Sequence, residues 1–397
     1  MNSQSALKCL YIYDCRLTKH LSQIYTKGGI TDSVLERYID FKDSIAIITR
    51  MEYSNNTDKA TLLTLQNLTF RPIKGLFFSK AFTIHLIYNL HIFAKEIKNA
   101  DFIVTRLPSF LGIFGLLVNL IYKKKFFIEV AGDAQDALLN SRENPNLIFK
   151  VFTHSFFKIN QFFIEHANGV IYVTKHALQN KYPTKAYQSY ASNIEISIAE
   201  KAFTLESYKL QSSLVKIGLI GDYNNHYKGI IEAIQSIREL NIRGYNVSLT
   251  IVGSGSQLEY YRKLAAELNI SHKIHFKGRL KGGREVLSWL ETLDLYIQPS
   301  YTEGLPRALI EAMSVGLPAV ASDVGGISEL LAHTCLIPPK DTIALTNKLV
   351  ELIESQKLRF KNGVRNYEVS KTYDKSILEE RRKIFWNNCR DLVRHSK

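Results

Sequence analysis

Two carboxylates and one lysine suggest what chemistry this sequence can do. Glu303 and Glu311 stand eight residues apart in PSYTEGLPRALIEAMSVGLPAVASDVGGISELL, residues 299–331. Residues 299–305 read as a loop. Pro306 suits the first position of a helix, where its missing N–H is unneeded, and Gly316 suits a helix end. The free amides of Gly304, Leu305 and Arg307 then gather at a helix N-terminus, which attracts anions. Glu303 lies in the loop beside that terminus and Glu311 lies inside the helix. About 12 Å of rise would separate them were both helical, so they reach different parts of one elongated ligand. A carboxylate accepts hydrogen bonds from two hydroxyls, which a ribose or hexose diol supplies. Lys228 opens a second such place. Residues 216–231, KIGLIGDYNNHYKGII, read as strand, glycine turn, loop and helix start. A lysine at that mouth neutralises a phosphate as a point charge. Taken singly, each of these residues also fits a plain solvated charge.

The combination is more specific. The E-x7-E spacing inside S-x-x-E-G-L-P…E-A-M-x-x-G-x-P resembles the retaining glycosyltransferases of the GT-B fold, glycosyltransferase family 4. The resemblance is strong over Val215–Leu331 and looser over the rest. It implies that Glu303 approaches the transferred sugar, that Glu311 holds the nucleotide ribose, and that Lys228 binds the donor diphosphate. The donor site then comprises Gly304, Leu305 and Pro306 beside these three, with Arg279 as a further cation. In the first half, Gly28 and Gly29 stand where the family carries a glycine-rich loop against the donor phosphates. The chain departs from the pattern twice. Asp222 stands where an arginine is common, and Ala131 stands where many members have a histidine. Asp133 is the nearest polar substitute, expected either to contact sugar or acceptor or to cap a helix. Asn193 falls at a place the family often fills with an interdomain asparagine.

Other motifs are weaker. VGSGSQL at 252–258 resembles half of a dinucleotide fingerprint, with Leu258 in place of the third glycine. Gly325-Gly326 allows close backbone approach to a ligand or a plain turn. The 11 histidines form no H-x-x-x-H or H-E-x-x-H set and no D-x-D occurs. No metal and no cofactor is therefore expected beyond the nucleotide-sugar substrate itself.

Strands and helices must hold these residues in place. Near-continuous apolar runs at 10–13, 45–49, 102–105, 126–131 and 170–174 read as buried strands. So do runs at 215–220, 248–252, 273–276, 295–298, 319–321 and 335–337. Helix-period segments lie between them, so the alternation predicts an α/β fold with parallel sheets. A stretch without period near Ser192–Ser213 separates the halves. The expectation is two Rossmann-like domains facing across a cleft: 1–195 for the acceptor, 196–372 for the donor, and a C-terminal helix in 373–397.

Composition sets the outer bounds. Charged residues make up 22% of the 397, which excludes a disordered chain, and four scattered cysteines give no disulfide framework. A reducing, cytoplasmic setting follows. The formal charge is +14, and residues 71–185 hold 15 Lys/Arg against 7 Asp/Glu amid many Phe and Tyr. Such a surface attracts anionic lipid or phosphorylated ligands, or it is simply a solvated basic face. The apolar run 107–122 is too short to span a bilayer, which takes about 20 residues. It fits a helix against a sheet or partly on a membrane surface. The partners expected are a nucleotide-sugar donor, a glycan or glycolipid acceptor and an anionic membrane surface, as in capsule or lipopolysaccharide assembly. The rivals are an epimerase or phosphorylase of the same fold, a glycoside hydrolase, and a basic nucleic-acid binder that would leave E-x7-E unexplained.

Overall fold

The computed structural model of the chain describes all residues except 1–5, 27, 29, 41, 55–56, 58–59, 76–78, 141–144, 225 and 396–397. Its strands form two sheets. The first holds β1 (Lys8–His20), β2 (Gln23–Thr26), β3 (Ser44–Tyr53), β4 (Thr61–Leu62), β5 (Leu68–Ile73), β6 (Phe102–Leu107), β7 (Lys125–Val130), β8 (Gly169–Tyr172) and β9 (Tyr187–Tyr190). The second holds β10 (Val215–Ile220), β11 (Val247–Val252), β12 (Ile274–Gly278), β13 (Leu295–Gln298), β14 (Ala319–Ser322) and β15 (Leu336–Ile337).

The second sheet runs β12-β11-β10-β13-β14-β15, all parallel. That is the doubly wound order 3-2-1-4-5-6. The parallel part of the first sheet has the same logic, β5-β3-β1-β6-β7-β8-β9. In each sheet the chain reverses direction between its first and fourth parallel strands, and ligands gather beyond the carboxyl ends at that switch point. The sheets are covered on both faces, so β8, β13 and β14 are buried at every residue.

Several elements lie outside the sequence expectation. β1 runs on past Tyr13, pairs antiparallel with β2 over Leu17–His20, and β2 pairs with β4. These extensions are half-polar, so no apolar run announces them. β5 and β9 were also unread, because LTFRPI and YQSY mix polar and apolar residues. The helix foreseen at 107–122 is Phe110–Tyr122, capped by Ser109 through Gly112 N–H and closed by Lys123 in the left-handed region. Among the described residues no helix is long and apolar enough to cross a membrane.

The C-terminal helix, Lys375–Arg394, returns to the first sheet. Trp386 sits edge-on to Tyr38 and Phe127, and Arg390 and Arg394 pair with Asp40 at 2.9 and 3.0 Å. Arg382 donates to the carbonyl of Ser192. A second tie joins the sheets. Glu329 accepts the amide protons of Lys175, His176 and Ala177 at 2.6, 2.9 and 2.5 Å, linking the short helix Ile327–Leu330 after β14 to the segment that follows β8.

Candidate functional site

The loops after β10 and β13, the two strands at the second sheet's switch point, are fixed to one another by glycines. Gly229 has φ +67°, and a Cβ there would stand 1.9 Å from the carbonyl oxygen of Pro299. Tyr301 N–H donates to the Tyr227 carbonyl at 2.7 Å. Gly253, after β11, lies against Gly221, where a Cβ would come within 1.8 Å of the Gly221 carbonyl oxygen. The paired glycines of VGSGSQL thus pack one loop on the next. Gly325-Gly326 does the same, meeting the backbone of Glu303 and Gly304, with Gly326 N–H bonded to the Gly304 carbonyl at 2.7 Å.

These loops bring Lys228 and Glu303 together. Lys228 Nζ donates to Glu303 Oε1 at 2.6 Å, and both side chains are largely buried. Ser300 Oγ and Gln298 Nε2 donate to the same oxygen at 2.8 and 3.2 Å, leaving Oε2 without a described partner. Gln298 is positioned in turn by Tyr296 Oη at 2.8 Å. Gln298 and Ser300 are fully buried, so the carboxylate is held from beneath while its other side faces a cavity. The pair and its supports were not all legible. QPS looks like an ordinary strand end, and only the spacing of Gln298 and Ser300 from Glu303 hints at a role.

The cavity measures about 600 Å³. Lys228, Arg279, Glu303, Leu305, Pro306 and Glu311 all line it, with Gly253, Gln298 and Arg307. Arg279 is exposed at its rim. The helix Arg307–Ser314 starts here, and Pro306 is its N-cap, one position earlier than expected, because its ψ of 108° is extended. Gly316, φ +80°, closes the helix as foreseen. Glu311 lies on the cavity wall, and no described residue bonds its carboxylate. Burial raises its pKa above the ordinary carboxylate value, and Arg307 partly offsets this. Glu311 is half-buried and its carboxylate has no described hydrogen-bond partner, so it can accept hydroxyls from a ligand in the cavity. Asp222 also lines the cavity, accepting from Asn224 N–H at 2.7 Å, so a carboxylate stands where an arginine was absent.

A second cavity of about 370 Å³ lies between the two sheets. Tyr13, Arg106, Pro108, Ala131, Gly132 and Asp133 line it from the first sheet, and Tyr227, Thr302, Glu303 and Gly304 from the second. Glu303 therefore borders both cavities. Gly304 is needed for this approach, since a Cβ would meet the Ala131 carbonyl oxygen at 2.5 Å.

The first sheet's switch point supplies a cation the sequence did not reveal. Arg106, at the end of β6, is within 3.8 Å of Glu129 and lies over the Tyr13 ring. Burial is the largest influence and disfavours its charge, but Glu129 together with Tyr13, Tyr11 and Tyr38 outweighs it and raises the pKa. Burial likewise pushes Glu129 up, yet Arg106 and hydrogen bonds from Asn193 and Tyr38 hold it below the usual value. Asn193 thus ties the interdomain turn to β7.

Asp133 is differently employed from the reading that gives it to sugar or acceptor. Its Oδ1 caps the helix Ala134–Leu139 through Asp136 N–H at 2.5 Å. Its Oδ2 accepts from Tyr182 Oη at 2.9 Å and pairs with Lys181 at 3.1 Å. Both oxygens already have protein donors. Gly28, φ +124°, lines neither cavity, and among the described residues it bonds with Thr26. Gly29 lies outside the described residues. Among the described residues no three of His, Cys, Asp and Glu are grouped to hold a metal ion.

Residues 209–368 match the family described as glycosyl transferases group 1. The chain is 29% identical over 386 residues to Protein CapJ of Staphylococcus aureus, covering 96% of this chain and 95% of that one. It is 33% identical over 138 residues to the amylovoran biosynthesis glycosyltransferase AmsK of Erwinia amylovora, covering 32% of this chain and 34% of that protein. Among solved structures it resembles sucrose-phosphate synthase from Thermosynechococcus elongatus, with TM-score 0.65, 16% identity, and coverage of 97% of this chain and 100% of the other. It also resembles Anabaena HepE in complex with UDP-glucose, with TM-score 0.63, 14% identity, and coverage of 96% and 100%. The fold is GT-B. Family match and fold together support a glycosyltransferase.

Proposed function

We propose that the protein transfers a sugar from a nucleotide-sugar donor to a glycan or glycolipid acceptor, keeping the anomeric configuration and needing no metal ion. The donor occupies the 600 Å³ cavity of the second sheet and the acceptor enters the cavity between the sheets. The observation that carries this reading is the position of Glu303, which borders both cavities and is tied to Lys228.

Each group has a part in the chemistry. Cleaving the anomeric bond leaves negative charge on the diphosphate. Lys228 and the free amides at the start of the helix Arg307–Ser314 are fixed where that charge develops, which is the largest kind of catalytic contribution. Glu311 accepts the ribose hydroxyls. Glu303, anchored through Oε1, offers Oε2 to the sugar. The departing phosphate oxygen takes the acceptor proton, so no separate base is required. The chemistry of AmsK's name, amylovoran biosynthesis, points toward a surface polysaccharide precursor as the acceptor class.

An epimerase of the same fold would need no acceptor, and a phosphorylase would pass the sugar between a glycan and inorganic phosphate. Incubating the protein with nucleotide sugars and a lipid-linked glycan separates them. The expected result is a glycosylated acceptor whose new linkage keeps the donor's anomeric configuration by NMR. Free epimerised nucleotide sugar, or a sugar phosphate made with added phosphate, would replace this reading. An inverted linkage would remove the retaining part of it.

A further inference from the structure

One face of the first sheet leaves apolar surface uncovered. The helices Lys80–Ile84, Leu86–Asn99, Phe110–Tyr122 and Leu147–Glu165 carry the chain from β5 to β6, from β6 to β7 and from β7 to β8. Right-handed crossovers in one direction place them on one face. Ring contacts join them in order: Phe82 and Phe93 stand edge-on to Phe114, and Phe110 lies against Phe156. The C-terminal helix covers the opposite face. On the open face Ile84, Ile87, Ile121, Leu147 and Ile148 are between 76% and 85% exposed. Leu120 and Val151 are more than half exposed. Isolated exposed leucines are ordinary, but a face of them across neighbouring helices marks a contact surface.

The charge around these residues is predominantly positive. Ile87, His91, Lys95 and Lys98 follow at helical spacing along one stripe, and Val151, Lys158 and Phe162 along another. Lys80, Lys150 and the run Lys123–Lys125 add to them. The acids on the four helices are Glu165 and Glu96, and Glu96 is buried against Arg71 at 2.8 Å. The aromatic residues that made residues 71–185 look like a sticky surface mostly turn inward, as in the stack of Phe110, Phe152 and Phe156. Apart from Tyr88 and Phe162, the outward large apolar residues are aliphatic, which suits acyl chains better than the stacked bases of a nucleic acid. A second copy of the chain fits poorly, because a two-fold interface would set the lysine stripes against each other.

We infer that this face docks on an anionic lipid bilayer, with its isoleucines and leucines entering the headgroup–acyl boundary and its lysines meeting lipid phosphates. The inference goes beyond the transferase reading and stands without it. Neither cavity is lined by these residues, so donor binding serves as a control.

Flotation of the full chain on vesicles tests it, using phosphatidylcholine with and without phosphatidylglycerol. The wild type floats with the anionic vesicles, less so as salt rises, and not with pure phosphatidylcholine. Ile87→Ser, Ile121→Ser and Ile148→Ser combined abolish flotation. Lys95→Glu, Lys98→Glu and Lys158→Glu combined lower partitioning on the order of a hundredfold. Both variants keep the wild-type melting temperature and donor binding. Should the serine variant misfold, the lysine variant decides. Absence of flotation by the wild type overturns the inference, as does flotation unchanged in the lysine variant. So does a sedimentation result in which these substitutions split a dimer that binds no vesicle. Flotation without sugar transfer leaves this inference intact and removes the transferase reading; transfer without flotation does the reverse.

Discussion

The two walls of the cleft are built from sheets of the same winding order, yet they differ in what a single methyl group would meet. On the second sheet's wall, Gly229, Gly253, Gly304 and Gly325 each touch a neighbouring carbonyl oxygen so closely that a Cβ would stand 1.8–2.5 Å from it. On the first sheet's wall, Gly132 borders the interdomain cavity with nothing within 4 Å of its Cβ position. The second wall is locked by backbone contacts and holds Lys228 and Glu303 in a fixed relation. The first wall leaves open space, with Ala131 where a larger residue is common in the resembled family. If the second wall holds the donor and the first the acceptor, as proposed, the fixed wall is the one that preorganised charge stabilisation needs, since reorganising donors during reaction would cost part of the gain. Acceptors vary, and space accommodates variation.

The contrast breaks most visibly at the charged pair. Lys228→Met and Glu303→Gln should each lower kcat for transfer by about 10²–10³-fold, and each also lowers the melting temperature because it leaves a largely buried partner unpaired. Steady-state kinetics on both variants checks this, and a variant with near wild-type kcat would detach that residue from the reacting centre. The next largest effect falls on stability. Gly229→Ala forces both a positive φ and a clash with Pro299, and should cost about 2–3 kcal/mol. Gly132→Ala should stay within about 0.5 kcal/mol. Denaturant unfolding of the two compares the walls directly, and equal losses would erase the distinction.

Acidity gives a smaller effect. In the proposed role Glu311 accepts from both hydroxyls of a diol best when ionised, and its burial raises its pKa. Donor affinity should therefore fall as pH drops through that raised value, by roughly tenfold, the size of one charged hydrogen bond. A calorimetric pH series should show this in the wild type and a flatter profile in Glu311→Gln. Profiles that coincide would take the ribose away from Glu311. The smallest effect is expected at Asp133. Asn still caps a helix, and Lys181 is more than a third exposed, so Asp133→Asn should cost no more than about 1 kcal/mol. Its transfer rate should stay within about threefold of wild type. A larger fall in rate would restore Asp133 to the reacting centre.

What the sequence shows depends on how local the cause is. The strands of the second sheet were legible because VKIGLI, LYIQ and their neighbours are near-continuously apolar, as burial on both faces favours. The meeting of Glu303, Glu311 and the helix start was legible because all three lie within one strand–loop–helix unit. Lys228 was brought in by its own strand–loop–helix unit and by family resemblance. β2, β4 and β9 escaped because half-exposed, partly polar strands carry no continuous apolar run. Arg106 and Glu129 escaped for a different reason. They lie 23 residues apart on neighbouring strands, a pairing that only the parallel register of β6 and β7 creates. Glu329 is similar, for its partners are amides some 150 residues earlier. The exposed apolar helix face was partly visible as a charge excess, but periodicity alone does not say which side of an amphipathic helix a sheet will take.

Thermal-shift measurements with a panel of nucleotides and nucleotide sugars, run in parallel on wild type and Glu311→Ala, test the donor cavity most directly. Wild type should melt at a higher temperature with one nucleotide class, and the mutant should lose most of that stabilisation while melting normally without ligand. Equal stabilisation of both proteins, or no shift with any nucleotide, would contradict the assignment of that cavity to an activated sugar.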